Sequence, residues 1–178
     1  YAYPNGTTGV YIAEQVSHHP PISAYYYVSP ENNILIYGDL RPKSRFLGNT
    51  AANIMGGTSR IVLLSRPEDG EYSISMPNMY ARGILFGKMV LELGDHSEMV
   101  NKNLQMSTDV EFKVKGYFTG SYNMIEGKIM HNGRQVGDMY GKWSGKMEYK
   151  DSHTGHTRLL FDAHNAQAVQ KQVPPIDQ

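Results

Sequence analysis

Val110, Phe112 and Val114 alternate with Glu111, Lys113 and Lys115, the period-two pattern of a strand with one buried face and one wet face. Similar patterns recur along the chain, separated by turn residues. Residues 23–29 are aromatic and β-prone, Pro30-Glu31-Asn32-Asn33 supplies a turn, and residues 34–37 restart a strand, which predicts a hairpin. Residues 61–65 and 72–76 flank Pro67-Glu68-Asp69-Gly70 in the same way, with Tyr72, Ile74 and Met76 alternating against Ser73 and Ser75. Residues 81–93 are strand-like, but Gly83 and Gly87 interrupt them and predict a bend or bulge. Asn132-Gly133, between residues 128–131 and 134–136, is the dipeptide favoured by a two-residue type I′ turn. A last pair, residues 146–150 and 156–161, brackets Gly155. One segment reads as helix: residues 50–55, with Asn49 as N-cap and Gly56-Gly57 as the stop. Beyond Phe161 the pattern fades, and residues 166–178, which include Pro174-Pro175, read as a linker or frayed end. The predicted class is mainly β: one domain over residues 1–165, an antiparallel sheet long enough to curl, with one short helix.

Composition narrows the functional classes. Thirteen tyrosines and 18 glycines suit many short strands joined by tight turns. Seventeen basic residues balance 17 acidic ones, so an electrostatic grip on nucleic acid is not expected. The absence of cysteine excludes disulfides and thiolate metal sites and suits a reducing compartment, so the cytosol is the expected location. No apolar run approaches the roughly 20 residues of a membrane-spanning helix. Residues 1–9 lack the basic start and apolar stretch of a secretory signal, and the mature N-terminus is not expected at Tyr1.

The candidate chemistry centres on His18 and His19, which precede Pro20 and Pro21 at the mouth of a strand. Pro21 restricts Pro20, and Pro20 pushes His19 toward an extended backbone, so the pair is held stiffly. Neighbours on a regular strand point to opposite faces, so both imidazoles serve one ligand only where the backbone kinks. That arrangement suits a multi-oxygen anion better than a metal ion, because zinc needs three or four ligands and none cluster nearby. His153 and His156 come closer to metal spacing but fall in a predicted exposed turn. Ser17 beside His18 has no nucleophile elbow around it, and the glycine-rich residues 48–57 lack the Gly-Lys-Ser/Thr ending of a phosphate loop. Neither an enzymatic activity nor a cofactor is expected. The residues alone leave two readings of the His-His pair open: an anion clasp, or polar side chains satisfied by backbone carbonyls.

Glu14-Gln15-Val16-Ser17-His18-His19-Pro20-Pro21 matches, at every position, the signature octapeptide of the oxysterol-binding-protein-related family of lipid-transfer proteins. The likeness continues through residues 42–49, residues 76–87 and Gly141-Lys142-Trp143, and runs from about residue 8 to the early 160s. The wording resembles fungal members, and the subgroup that exchanges phosphatidylserine for phosphatidylinositol 4-phosphate. Resemblance implies an incomplete β-barrel around a tunnel for one lipid, with His18 and His19 gripping the 4-phosphate. It places a serine at Ser44 against the serine head group. Lys43 and Arg45 are candidates to assist an anionic head group, or else ordinary solvated charges. Trp143 and Phe112 read as core. Implied partners are phosphatidylinositol 4-phosphate, phosphatidylserine or a sterol, and transient membrane contact where endoplasmic reticulum meets plasma membrane, with the protein acting as a monomer. The family's upstream Lys/Asn segment, later Lys/Glu/Arg helix and N-terminal lid have no counterpart here, so the chain corresponds to the central portion of the lipid-binding domain.

Overall fold

The structure is a computed structural model that describes residues 1–116 and 120–166. Thirteen strands form one antiparallel sheet: β1 (Val10–Ser17), β2 (Ile22–Ser29), β3 (Ile34–Phe46), β4 (Thr50–Gly56), β5 (Ser59–Leu63), β6 (Glu71–Ile74), β7 (Asn78–Arg82), β8 (Val90–Asn101), β9 (Met106–Lys113), β10 (Met124–His131), β11 (Arg134–Lys142), β12 (Lys146–Asp151) and β13 (Thr157–Asp162). Two short 3-10 turns, Pro67–Asp69 and Ala163–Asn165, are the helical elements among the described residues, and no helix is long and apolar enough to cross a membrane. The expected hairpins form. Asn132 and Gly133 both take positive φ, 50° and 73°, as a type I′ turn requires. The interruption at Gly83 and Gly87 is a full loop between β7 and β8. Most of the segment read as a linker, residues 167–178, lies outside the described residues.

The predicted helix over residues 50–55 is instead strand β4. Six residues are too few to offset helix nucleation, whereas edges on both sides satisfy the same backbone groups. Phe46 to Arg41 of β3 pair with Ala51 to Gly56, and Thr50 to Asn53 pair with Arg82 to Met79 of β7. Asn49, read as a helix cap, uses its side chain on the β7–β8 loop instead.

β3 and β8 run through the sheet as its longest members, with 13 and 12 residues. Each carries two short partners end to end. β3 pairs with β5 along Ile34–Gly38 and with β4 along Arg41–Phe46; β8 pairs with β7 and then with β6. Between the two sets the ladder is interrupted, and side chains bridge the gap. Asn78 accepts from the Met55 amide at 2.8 Å and donates to Asp95 at 2.7 Å. The Ser75 hydroxyl accepts from the Glu98 amide at 2.8 Å, while Ser97 donates to the Ser75 carbonyl at 2.7 Å. Gly57, at φ 103°, turns the chain there, and a Cβ on it would overlap the Asp39 carbonyl oxygen.

Register and alternation sort the side chains onto two faces. One row runs Tyr27–Ile36–Ile61–Tyr72, and another runs Phe112–Ile125–Gly141–Met147–Phe161; Leu40, Pro42, Met79, Leu93 and Met139 share this apolar face. The opposite face carries Glu111, Lys113, Glu126, Lys128 and Asp138, with ion pairs Lys113–Glu126 and Arg60–Glu71. The apolar face has little above it. Among the described residues Ala52 and Ile125 are the buried hydrophobic side chains, whereas Ser29, Ser59, Asp69, Glu92, Asn101 and Thr108 are buried polar ones. Phe112 and Trp143, expected as core, are only half-buried. Local polar knots fix the edges of this layer: Asn101 donates to the Asp69 carbonyl at 3.1 Å and accepts from the Leu104 amide at 2.9 Å, tying the first 3-10 turn to β8.

The β12–β13 turn is built on Asp151. Its Oδ1 accepts from the His153 amide and from the amide and hydroxyl of Thr154. The Thr154 amide, followed by the Thr154 hydroxyl, holds the carboxyl down to about 2.

Two outcomes test this account. Gly57→Ala should lower stability in urea unfolding by about 2 kcal/mol or more, through backbone strain and overlap. Gly133→Ala, whose Cβ meets open space, should cost only about 1 kcal/mol. Asp151, followed by carboxyl NMR, should titrate near 2 and move upward in Thr154→Val. Its folded value lies below the ordinary carboxylate value, so its contribution to stability is complete above pH 4 or so and disappears as pH falls through about 2.

Candidate functional site

The octapeptide occupies the end of β1 and the turn into β2. Antiparallel pairing from Val10↔Val28 to Gln15↔Ser23 shifts register before Ser17↔Ile22, so the chain kinks where the histidines begin. The His19–Pro20 bond is cis, and both rings are exposed on the turn. Their centroids lie 4.2 Å apart, tilted by 46°. The kink that the sequence required for joint use of the two imidazoles is therefore present, and the rings stand side by side at the solvent boundary.

β3 passes beside this turn. Ser23, just after the turn, pairs with Leu40, and β3 runs on past the end of the β1–β2 hairpin as Arg41–Phe46. The second half of β3 and the His-His turn therefore share one end of the sheet. Lys43, Ser44 and Arg45, grouped together by the sequence, are divided by strand alternation. Ser44 stands on the apolar face, opposite Asn53 and in the row that continues to Met79 and Leu93. Lys43 and Arg45 point to the other face, where the row through Arg45 leads to Ala52, Tyr80 and Glu92. A ligand on the apolar face can meet Ser44; the two cations belong to the polar face.

Sequence reasoning missed Asn53. Its Oδ1 is buried and without a hydrogen-bond partner among the described residues. Directly paired side chains of an antiparallel ladder stand about 5 Å apart, so Asn53 and Ser44 form one polar spot on an otherwise greasy face. A buried acceptor without a protein donor costs stability unless water or a ligand bearing N–H or O–H groups supplies one. The only signal in the sequence was the misreading of residues 50–55 as helix, which hid the pairing.

Other candidates separate from this end of the molecule. No hydrogen bond joins Ser17 to His18 among the described residues. His153 and His156 flank the Asp151-organised turn, and no group of three His, Asp or Glu side chains capable of holding a metal occurs among the described residues. A recess of about 560 Å³ lies on the polar face across β8–β11, bordered by His96, Asp109, Glu111, Glu126, Lys128 and Asp138. There, Asp109 at 2.8 Å raises the pKa of His96 through a hydrogen bond and its charge. Its four carboxylates oppose phosphate, and it lies away from the His-His turn.

Residues 1–173 match the family described as Oxysterol-binding protein. The chain is 51% identical over 155 residues to Oxysterol-binding protein homolog C23B6.01c of Schizosaccharomyces pombe, covering 86% of this chain and 32% of that relative. It is 43% identical over 184 residues to Oxysterol-binding protein homolog 7 of Saccharomyces cerevisiae, covering 98% of this chain and 41% of that relative. The chain thus spans about a third to two fifths of the length of these relatives. The sheet also resembles the Osh1 ORD domain in complex with ergosterol, at a TM-score of 0.76 and 22% identity, covering 98% of this chain and 44% of that one. The Osh3 ORD in complex with PI(4)P from Saccharomyces cerevisiae gives a TM-score of 0.67 at 19% identity, covering 84% and 39%. These structures establish the fold, a mainly antiparallel sheet in a partial ring. With the family match extending over nearly the whole chain and its His-His motif on an exposed turn, the chain belongs to the oxysterol-binding protein family.

Proposed function

We propose that this chain is part of a lipid carrier that exchanges phosphatidylserine for phosphatidylinositol 4-phosphate between endoplasmic reticulum and plasma membrane. The observation that carries the reading is the exposed pair of imidazoles, 4.2 Å apart, at one end of a sheet with a continuous apolar face. A two-tailed lipid has about 30 methylene and methyl groups, whose exposure to water costs on the order of 20 kcal/mol at about 0.8 kcal/mol each. Strand alternation supplies an apolar wall for them without selecting among lipids, which leaves selection to a few polar contacts at the head. His18 and His19 clasp the 4-phosphate. Ring N–H groups of the two imidazoles donate to the phosphate oxygens. Ser44 and the unpartnered Asn53 oxygen take the head group of phosphatidylserine, whose ammonium is a donor. Lys43 and Arg45 act, from the other face, on the approach of anionic lipid and not within the head-group site. The protein works as a monomer, on the cytoplasmic side, touching membranes transiently, and no covalent step is involved.

Support comes from relatives. The Osh3 ORD binds PI(4)P, and the fungal homologs 6 and 7 are 40% and 43% identical to this chain. Sterol as the exchanged cargo is the second reading, favoured by the Osh1 ORD complexes with cholesterol and ergosterol.

The test uses the intact protein with mixed-lipid liposomes and native mass spectrometry. The expected result is co-purified phosphatidylserine and phosphatidylinositol 4-phosphate, with no sterol. Replacing both His18 and His19 by Ala should weaken phosphoinositide extraction at least about tenfold, since charge-assisted hydrogen bonds contribute about 1.5–3 kcal/mol each, while phosphatidylserine extraction changes little. Ser44→Ala should show the opposite bias. Unchanged phosphoinositide extraction by the double His variant would falsify the clasp; retention of sterol instead would move the cargo to the second reading.

A further inference from the structure

A group of strongly exposed apolar side chains gathers on one tip, formed by the β3–β4 turn and the β7–β8 loop. Phe86 is 78% exposed, Leu85 59% and Leu47 58%, and Phe46, Met89 and Leu91 beside them are exposed too. Loose loops ordinarily fold such groups inward. This one is pinned. Asn49 Oδ1 accepts from the amides of Leu85 and Phe86 at 2.8 and 2.9 Å, and its Nδ2 donates to the Phe86 carbonyl at 2.9 Å. The Asn49 carbonyl takes the Gly83 amide at 2.9 Å. Gly83, at φ 72°, closes the loop so tightly that a Cβ would overlap the Lys88 carbonyl oxygen. One side chain thus locks two loops together and holds Leu85 and Phe86 outward.

The charge around the tip is one-sided. Although the chain is neutral overall, residues 43–50 and 79–91, which form the tip and the strand ends beside it, contain Lys43, Arg45, Arg82 and Lys88 and no Asp or Glu. Lys43, Arg45 and Lys88 are exposed at this end. Beneath Phe86 lies a recess of about 270 Å³ lined by Arg82, Lys88 and Lys115. Its one carboxylate, Glu92, is buried and already engaged by Arg82 at 3.0 Å and by the Lys115 amide at 2.8 Å. An apolar crown above a cationic recess complements a bilayer of anionic phospholipid, whose acyl region meets the crown and whose head groups meet the cations. β3 carries this tip six residues beyond Leu40, about 20 Å along the strand past the His-His turn, so the tip leads and the turn follows.

We infer that the joined β3–β4 and β7–β8 loops are a membrane-docking tip, inserting Leu47, Leu85 and Phe86 into an anionic bilayer and seating a phospholipid phosphate in the recess of Arg82, Lys88 and Lys115. The choice of a bilayer as occupant rests on the lipid-carrier reading above, since a carrier must touch the surface from which it draws lipid.

The test is co-sedimentation of the intact protein with vesicles of phosphatidylcholine alone and of phosphatidylcholine with phosphatidylserine, both free of phosphoinositide, alongside binding of soluble inositol 1,4-bisphosphate. The wild type should favour the phosphatidylserine vesicles, and salt should weaken that preference. Leu85→Ser with Phe86→Ser should reduce vesicle partitioning about tenfold or more while leaving soluble head-group binding unchanged, and Lys88→Glu should abolish the preference for phosphatidylserine vesicles. Wild-type partitioning by the serine variant, with its circular dichroism and head-group binding intact, would overturn the tip, as would retention of the wild-type protein by an affinity-purified protein partner but not by vesicles. The His18/His19 double Ala variant separates the two ideas: it should keep vesicle association while losing the soluble head group, and unchanged head-group binding there would sink the clasp without touching the tip.

Discussion

Everything in this molecule depends on a single antiparallel ladder that satisfies its own backbone while leaving one face greasy. Alternation places Ile36, Ile61, Phe112, Ile125 and Met147 on that face and the ion pairs on the other. In an ordinary domain a second layer would cover the apolar face and supply most of the stability. Here the buried side chains are mainly polar, and order comes from backbone pairing, from bulges such as the one before Ser17, and from side chains that close local gaps. A wall of this kind is suited to a guest, because the apolar area that would otherwise form a core stays available for burial. Such burial discriminates little between acyl chains, so recognition falls to the few polar groups that alternation places near or on that face.

Much of this was legible in the chain. Period-two patterns and turn residues predicted the hairpins at Asn33, Gly70, Gly133 and Gly155, because each turn depends on a local dihedral requirement that only a few residue types meet. The His-His pair was legible for the same reason: two prolines constrain the backbone, and the octapeptide is specific. What sequence could not reveal was long-range. Residues 50–55 have no alternation to distinguish strand from helix, and their strand character is imposed by β3 and β7, neighbours that only the tertiary fold supplies. Misreading that segment concealed both the partner of Ser44 and the true work of Asn49. Lys43, Ser44 and Arg45 are divided between the two faces for a different reason. Adjacency in sequence suggested adjacency in space, whereas a strand sends neighbours to opposite faces.

β3 is the element on which these features meet. Its first half pairs with β2 and β5, its middle passes the His-His turn, and its end forms half of the exposed tip. The proposed head-group site and the proposed docking tip thereby share one strand, and the spacing between them is set by backbone rise, not by loops. Asn49 gives the far end of that strand the same rigidity, by turning two separate loops into one body through five hydrogen bonds.

The interrupted ladder between β3 and β8 has a mechanical meaning. Two small panels, β4 with β7 and β5 with β6, hang between the same two rails, and at the joint between them the side chains of Asn78, Ser75 and Asp95 supplement isolated main-chain bonds from Ser75 to Glu98 and from Asp39 to Thr58. Rails that continue across such a joint keep one strand order through it, so the bend of the wall along that line is set by a few side chains and isolated main-chain bonds and not by a full ladder.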